Sequence, residues 1–116
     1  MDDDVELLRR YAAGGAGAEA AFAGIVQRHL DLVYSAALRR LAGDAHAAKD
    51  VAQQVFTELA RQASRLADGV VVPAWLYAIT RNVAVDFVRG ENRRRAQEQE
   101  ACAVNELDSS STPVGE

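Results

Sequence analysis

Three sets of side chains in this 116-residue sequence have the chemistry to act on something: the histidines 29 and 46 with Cys102, a polar strip from Asp50 to Glu58, and a run of arginines from Arg81 to Arg95. The first set offers little. His29 and His46 have no cysteine or carboxylate at ligand spacing, so no zinc site is expected, and His29 falls in an apolar stripe where a satisfied boundary histidine belongs. Cys102 has no neighbouring base to hold it as a thiolate. Gly14, Gly15 and Gly17 follow no strand pattern, so they do not form a phosphate cradle. No Ser/His/Asp order and no His-Glu helix motif is present either. Catalytic residues, metals and cofactors are therefore not expected, and the chain reads as something other than an enzyme.

The two remaining sets are surfaces. Asp50, Gln53, Gln54, Thr57 and Glu58 would share the outward face of one helix, and by composition alone that is an ordinary solvated face. Arg81, Asn82, Asp86, Arg89, Arg93, Arg94 and Arg95 gather on or near one edge of a later helix. Arginine presents fixed donors to phosphate oxygens, and the paired donor and acceptor of Asn82 suit a base edge. Cations in a last helical turn complement the dipole. That does not explain Arg81 and Asn82, two to three turns earlier, so a nucleic-acid partner is favoured.

The overall charge of −4 argues the other way until it is resolved along the chain. Residues 1–60 carry −3, 61–74 carry +1, 75–95 carry +3 and 96–116 carry −5. The basic segment is the one holding the arginines. Hydrophobic residues make up 49% of the sequence but aromatics only 6%, and the many alanines favour helix over strand. A single cysteine excludes an internal disulfide framework. No apolar run approaches the roughly 18 to 20 residues of a membrane span, and the opening Asp2, Asp3 and Asp4 are unlike a secretory signal. A cytoplasmic, soluble protein with no membrane partner is expected.

The elements that must carry these surfaces are all helical. Asp4 is placed to cap a short helix with Val5, Leu8 and Tyr11 facing inward, ended by Gly14, Gly15 and Gly17. From Ala18 to Leu41 the positions Phe22, Ile25, Val26, His29, Leu30, Val33, Tyr34, Ala37, Leu38 and Leu41 step by three and four. Gly43 stops that helix and Asp44 caps the next, in which Ala48, Val51, Ala52, Val55, Phe56, Leu59 and Ala63 repeat the spacing. The two form a helical hairpin. Gly69 and Pro73 bracket the β-branched Val70, Val71 and Val72, which read as a loop or short extended segment. A third long helix starts near Pro73 and runs through Trp75, Leu76, Ile79, Val83, Phe87 and Val88, with Gly90 weakening its last turn. Beyond Arg95 the hydrophobic period fades. Residues 96–116, with Ser109, Ser110, Ser111, Thr112, Pro113 and Gly115, read as a disordered acidic linker or tail.

Two ordered blocks in this framework resemble a known family. Asp50-Val-Ala-Gln-Gln-Val-Phe56 with Leu59-Ala-Arg61 is followed by Trp75-Leu-Tyr-Ala-Ile-Thr-Arg-Asn82 with Asp86, Arg89 and Arg93-Arg94. They resemble, in order and spacing, the diagnostic blocks of the region-two domain of bacterial RNA polymerase sigma factors of the extracytoplasmic-function (ECF) type. Asp4 to Tyr11, Ala21-Phe22 and Arg28-His29 are similar to the family's first helices, so the resemblance spans about residues 4–95.

The resemblance implies an all-α domain over residues 1–95, a compact bundle of three long helices and a short N-terminal one, with residues 96–116 leading to a helix-turn-helix domain that is absent. It implies that Asp50, Gln53, Gln54 and Thr57 dock on the clamp helices of the β′ subunit of RNA polymerase core. It implies that the loop of about Leu66–Ala74, including Leu66 and Asp68, forms with Asn82 a pocket for a base flipped from the non-template strand of the minus-ten promoter element. Arg81, Arg89, Arg93 and Arg94 would then contact phosphates, with Asp86 beside them. Gln54 stands where relatives commonly carry an acid, and the loop lacks the polar and aromatic residues many of them have there. An anti-sigma factor is a further partner the resemblance implies. A competing reading is a protein-interaction module, a polymerase or anti-sigma decoy, that has lost promoter recognition.

Overall fold

Apolar residues stepping by three and four, punctuated by glycines and capping aspartates, produce four helices in the computed structural model, which describes residues 3–111 and the side chains of residues 3–103. They are α1 (Asp4–Ala13), α2 (Ala18–Arg40), α3 (Ala45–Leu66) and α4 (Val72–Ser111), with no strand among the described residues. The all-α expectation holds. The chain divides into two units, Met1–Val85 and Asp86–Glu116.

In the first unit α1, α2 and α3 pack on one another. The cap of α1 is Asp3 and not Asp4: its extended backbone lets Oδ1 accept from the Glu6 N–H at 2.8 Å. Asp4 is already helical, which frees its carboxylate to reach α2. Leu7 and Leu8 are the buried residues of α1, whereas Tyr11 is half-buried and tilts against Phe22 with ring centroids 4.8 Å apart. Gly14 and Gly15, at φ +75° and +87°, turn the chain into α2.

The α2–α3 junction closes tightly for a local reason. Ala42 takes the left-handed conformation (φ 55°), and the Gly43 N–H returns to the Leu38 carbonyl at 3.0 Å, the six-to-one bond that ends a helix. Asp44 then caps α3 as expected, accepting from the Ala47 N–H at 3.1 Å. Facing sides of the hairpin bury Ile25, Val33 and Ala37 with Ala48, Val51, Val55 and Leu59. The first turns of α4 bury Val72, Leu76, Thr80 and Ala84, four residues apart. Thr80 is the one buried polar residue among those described, and its hydroxyl donates to the Leu76 carbonyl at 2.6 Å.

The second unit corrects one expectation. Helix α4 does not stop near Arg95 but runs to Ser111, so residues 96–111 of the expected disordered tail are helical, and Gly90 does not interrupt them. Every side chain from Asn92 to Ala103 is exposed. Hydrophobic periodicity reports burial, not helicity, and it has nothing to report on side chains that are exposed. Helix propensity carries this stretch instead, through Glu91, Arg93, Arg94, Arg95, Ala96, Gln97, Glu98, Gln99, Glu100 and Ala101. The remainder of that tail, Thr112 to Glu116, lies outside the described residues.

Candidate functional site

Helix spacing lines up Asp50, Gln53, Gln54 and Thr57 at intervals of three, one and three along α3, and all four are exposed. Two are already engaged. The Thr57 hydroxyl donates to the Gln53 carbonyl at 2.8 Å, and Asp50 lies 4.0 Å from Nε2 of the exposed His46. Glu58, one residue on, accepts from Arg61 at 3.4 Å and from Gln62, which in turn accepts from Arg65. A prearranged hydrogen-bonded row therefore follows the strip toward the end of α3. The two glutamine amides of the strip form no side-chain hydrogen bond among the described residues.

Beside the strip lies a groove of about 720 Å³ between α2 and α3, floored by Phe22, Val26, Leu30, Tyr34 and Phe56, with Gln53 and Thr57 on its edge. Phe22, Val26, Leu30 and Tyr34 belong to the stripe that periodicity assigns to the core, yet Leu30 is 44% exposed and the other three are half-buried. The signal was present in the sequence as width. Nine positions of α2, with Leu41 just after it, form a stripe broader than one neighbouring helix covers, and the surplus lines the groove.

The loop between α3 and α4 is built from the end of α3. The N–H groups of Asp68, Gly69 and Val70 bond back to the carbonyls of Arg65, Leu66 and Leu66 at 3.4, 3.3 and 3.3 Å, and Gly69 supplies φ +131°. This corrects the reading of Leu66. Its side chain is buried and its carbonyl occupied, so it anchors the loop and presents nothing to a ligand. Asp68 is exposed.

Arg81 and Asn82, in the first unit, are exposed and form no hydrogen bond or ion pair among the described residues. In the second unit Asp86, Arg89 and Arg93 come together around one shallow recess of about 480 Å³ with Asn92. Arg94 is held by Glu91 at 2.9 Å. Of the arginines singled out by spacing, Arg94 is thus partly neutralised while Arg89 and Arg93 have no such partner among the described residues.

The histidines take the roles that their positions suggest. His29 is largely buried, with Nε2 2.9 Å from Oδ2 of Asp4, whose Oδ1 lies 3.3 Å from Arg28. The pairing joins α1 to α2 and was invisible in sequence because the partners are 25 residues apart. His46 is exposed. No group of three or more His, Cys, Asp or Glu is gathered for a metal ion among the described residues, and Cys102 is exposed.

An exposed acid-and-amide strip lies on α3, and exposed arginines lie along α4 after a short loop. Residues 25–94 match the Sigma-70 region 2 family, and the chain belongs to it. The chain is also 34% identical over 86 residues to the ECF RNA polymerase sigma factor SigE of Mycolicibacterium smegmatis, a match covering 74% of this chain and 33% of that protein. The chain thus spans about a third of the length of that curated relative. No solved structure matches the chain significantly. The family match takes in both diagnostic blocks and most of α2, and α1 lies outside it. No described helix is long and apolar enough to cross a membrane.

Proposed function

We propose that this domain works in transcription initiation by two contacts: α3 docks on the β′ clamp helices of RNA polymerase core, and the α3–α4 loop with Asn82 captures a base from the melted non-template strand of the minus-ten element. The observation that carries this reading is the family match over residues 25–94, which spans both blocks. The exposure of Asp50, Gln53, Gln54 and Thr57, and of Arg81, Asn82, Arg89 and Arg93, supports it. No covalent step belongs to the chain. It acts by binding a strand that has become single, so that base insertion and phosphate neutralisation offset an unstacking cost of about a few kcal/mol.

The two contacts separate in experiment. Asn82→Ala with Arg89→Ala should weaken binding to single-stranded promoter oligonucleotides at matched salt while core polymerase capture and helical content stay unchanged. Gln53→Ala with Gln54→Ala should do the reverse. Undiminished strand affinity in the first double variant would sink the DNA assignment, and capture of core polymerase with no strand affinity in the parent chain would favour the decoy reading.

A further inference from the structure

We propose that Val71 is the base-reading residue of the α3–α4 loop and that it selects thymine through the 5-methyl group; this rests on the proposed capture of a promoter base by that loop. The loop runs from Ala67 to Val71. Its N–H groups at Ala67, Asp68, Gly69 and Val70 are all bonded to carbonyls of the last turns of α3, so its backbone has few donors left for a base edge. Ala67 is buried, Gly69 has no side chain and Val70 is half-buried. What the loop presents outward is therefore the carboxylate of Asp68 and the isopropyl group of Val71.

Of these two, Val71 is the one that folding does not explain. It is 68% exposed, more than Leu30, Leu32, Tyr77 or Val88, the other large apolar residues open to water among those described. It also occupies the position before α4, with its carbonyl accepting from the Trp75 N–H at 3.1 Å. Ser, Thr, Asp or Asn would cap a helix there and valine cannot. A residue that neither buries its side chain nor caps the helix breaks two local rules at once, and such breaches concentrate where a surface has a task. Asp68 before Gly69 is ordinary turn chemistry and needs no ligand to account for it.

An isopropyl group cannot read donors and acceptors. The base feature it distinguishes is the thymine methyl, which cytosine and uracil lack. Withdrawing one methyl from water against Val71 corresponds to about three- to fourfold in affinity.

The test uses the intact chain and end-labelled 12-mers of deoxythymidine, deoxyuridine and deoxycytidine at low salt, read by fluorescence anisotropy. Homopolymers place the same base in the loop in every register, and thymine and uracil differ only in the methyl. The thymine strand should bind about threefold tighter than the uracil strand. Val71→Ser should bring that ratio to one, and because serine caps α4 the fold is retained; Val71→Ile should keep the preference. A ratio of one in the parent chain, or a ratio that survives Val71→Ser, overturns the assignment. Tighter binding of the cytosine strand, abolished by Asp68→Asn, overturns it in favour of Asp68. Failure of all three strands to bind, while core polymerase still captures the chain, overturns the strand-capture reading itself.

Discussion

The arginines of α4 permit a quantitative test through salt. Neutralising a phosphate of a single strand releases condensed counterions, and the logarithm of affinity falls with the logarithm of salt concentration by about 0.7 per phosphate. Arg81, Arg89 and Arg93 are exposed and make no ion pair among the described residues, whereas Arg94 is engaged by Glu91 at 2.9 Å. With these three as the phosphate contacts the slope is about −2, so that raising salt from about 50 to about 200 mM should weaken strand binding about 20-fold. Arg89 and Arg93 share one recess. Replacing both with glutamine should flatten the slope to about −0.7, leaving only about a threefold loss over the same range. Arg94→Gln should alter the slope least, because Glu91 already offsets that charge. Asp86→Asn, on the rim of the same recess, should tighten binding by removing a like charge from beside the phosphates. The assay is a titration of labelled single-stranded DNA at several salt concentrations, with circular dichroism to verify that α4 stays helical. An unchanged slope in the Arg89/Arg93 double variant, or an effect of Arg94 as large as that of Arg89, would refute the assignment of the recess to phosphate.

The fold makes its own predictions, each measurable by urea unfolding. Leu76→Ala, at a fully buried site, should cost about 2–5 kcal/mol, whereas Leu30→Ala, 44% exposed in the groove, should cost under about 1 kcal/mol. Ala42→Gly should stabilise the domain by about 0.5–1 kcal/mol, since Ala42 is held at φ 55° where glycine carries no Cβ penalty; a loss of stability would contradict the left-handed cap. Asp44→Ala should cost about 1 kcal/mol through loss of the α3 cap. A double-mutant cycle of Asp4→Asn with His29→Gln should return a coupling energy of about 0.5–1.5 kcal/mol, and a coupling of zero would mean that the 2.9 Å contact does not fasten α1 to α2.

Much of this molecule is legible in one dimension because helices are local objects. Asp44 before an apolar period, Gly43 before Asp44, and Pro73 after a valine run mark helix ends through bonds that reach only three to five residues along the chain. The two blocks from Asp50 to Arg61 and from Trp75 to Arg94 likewise suffice for the family, since helical spacing alone places their polar residues on outward faces. Where the local rules mislead, the missing information is what lies across from a residue. Asp3 and Asp4 are chemically alike, and only the approach of α2, bringing His29 and Arg28, decides which of them caps and which clasps. Phe22, Val26, Leu30 and Tyr34 are apolar at core spacing, but α3 covers only part of so wide a stripe, so tertiary packing turns the remainder into a groove. Leu66 lies next to the loop in sequence and inside the core in space. The extension of α4 past Arg95 is the converse case, where the residues favour helix by themselves and the vanished period records only that the side chains described there are exposed. The sequence by itself therefore determined the helical framework, the Asp44 cap and the family; which polar and apolar side chains remain available to a partner was decided in three dimensions, because exposure depends on neighbours that the order of residues does not name.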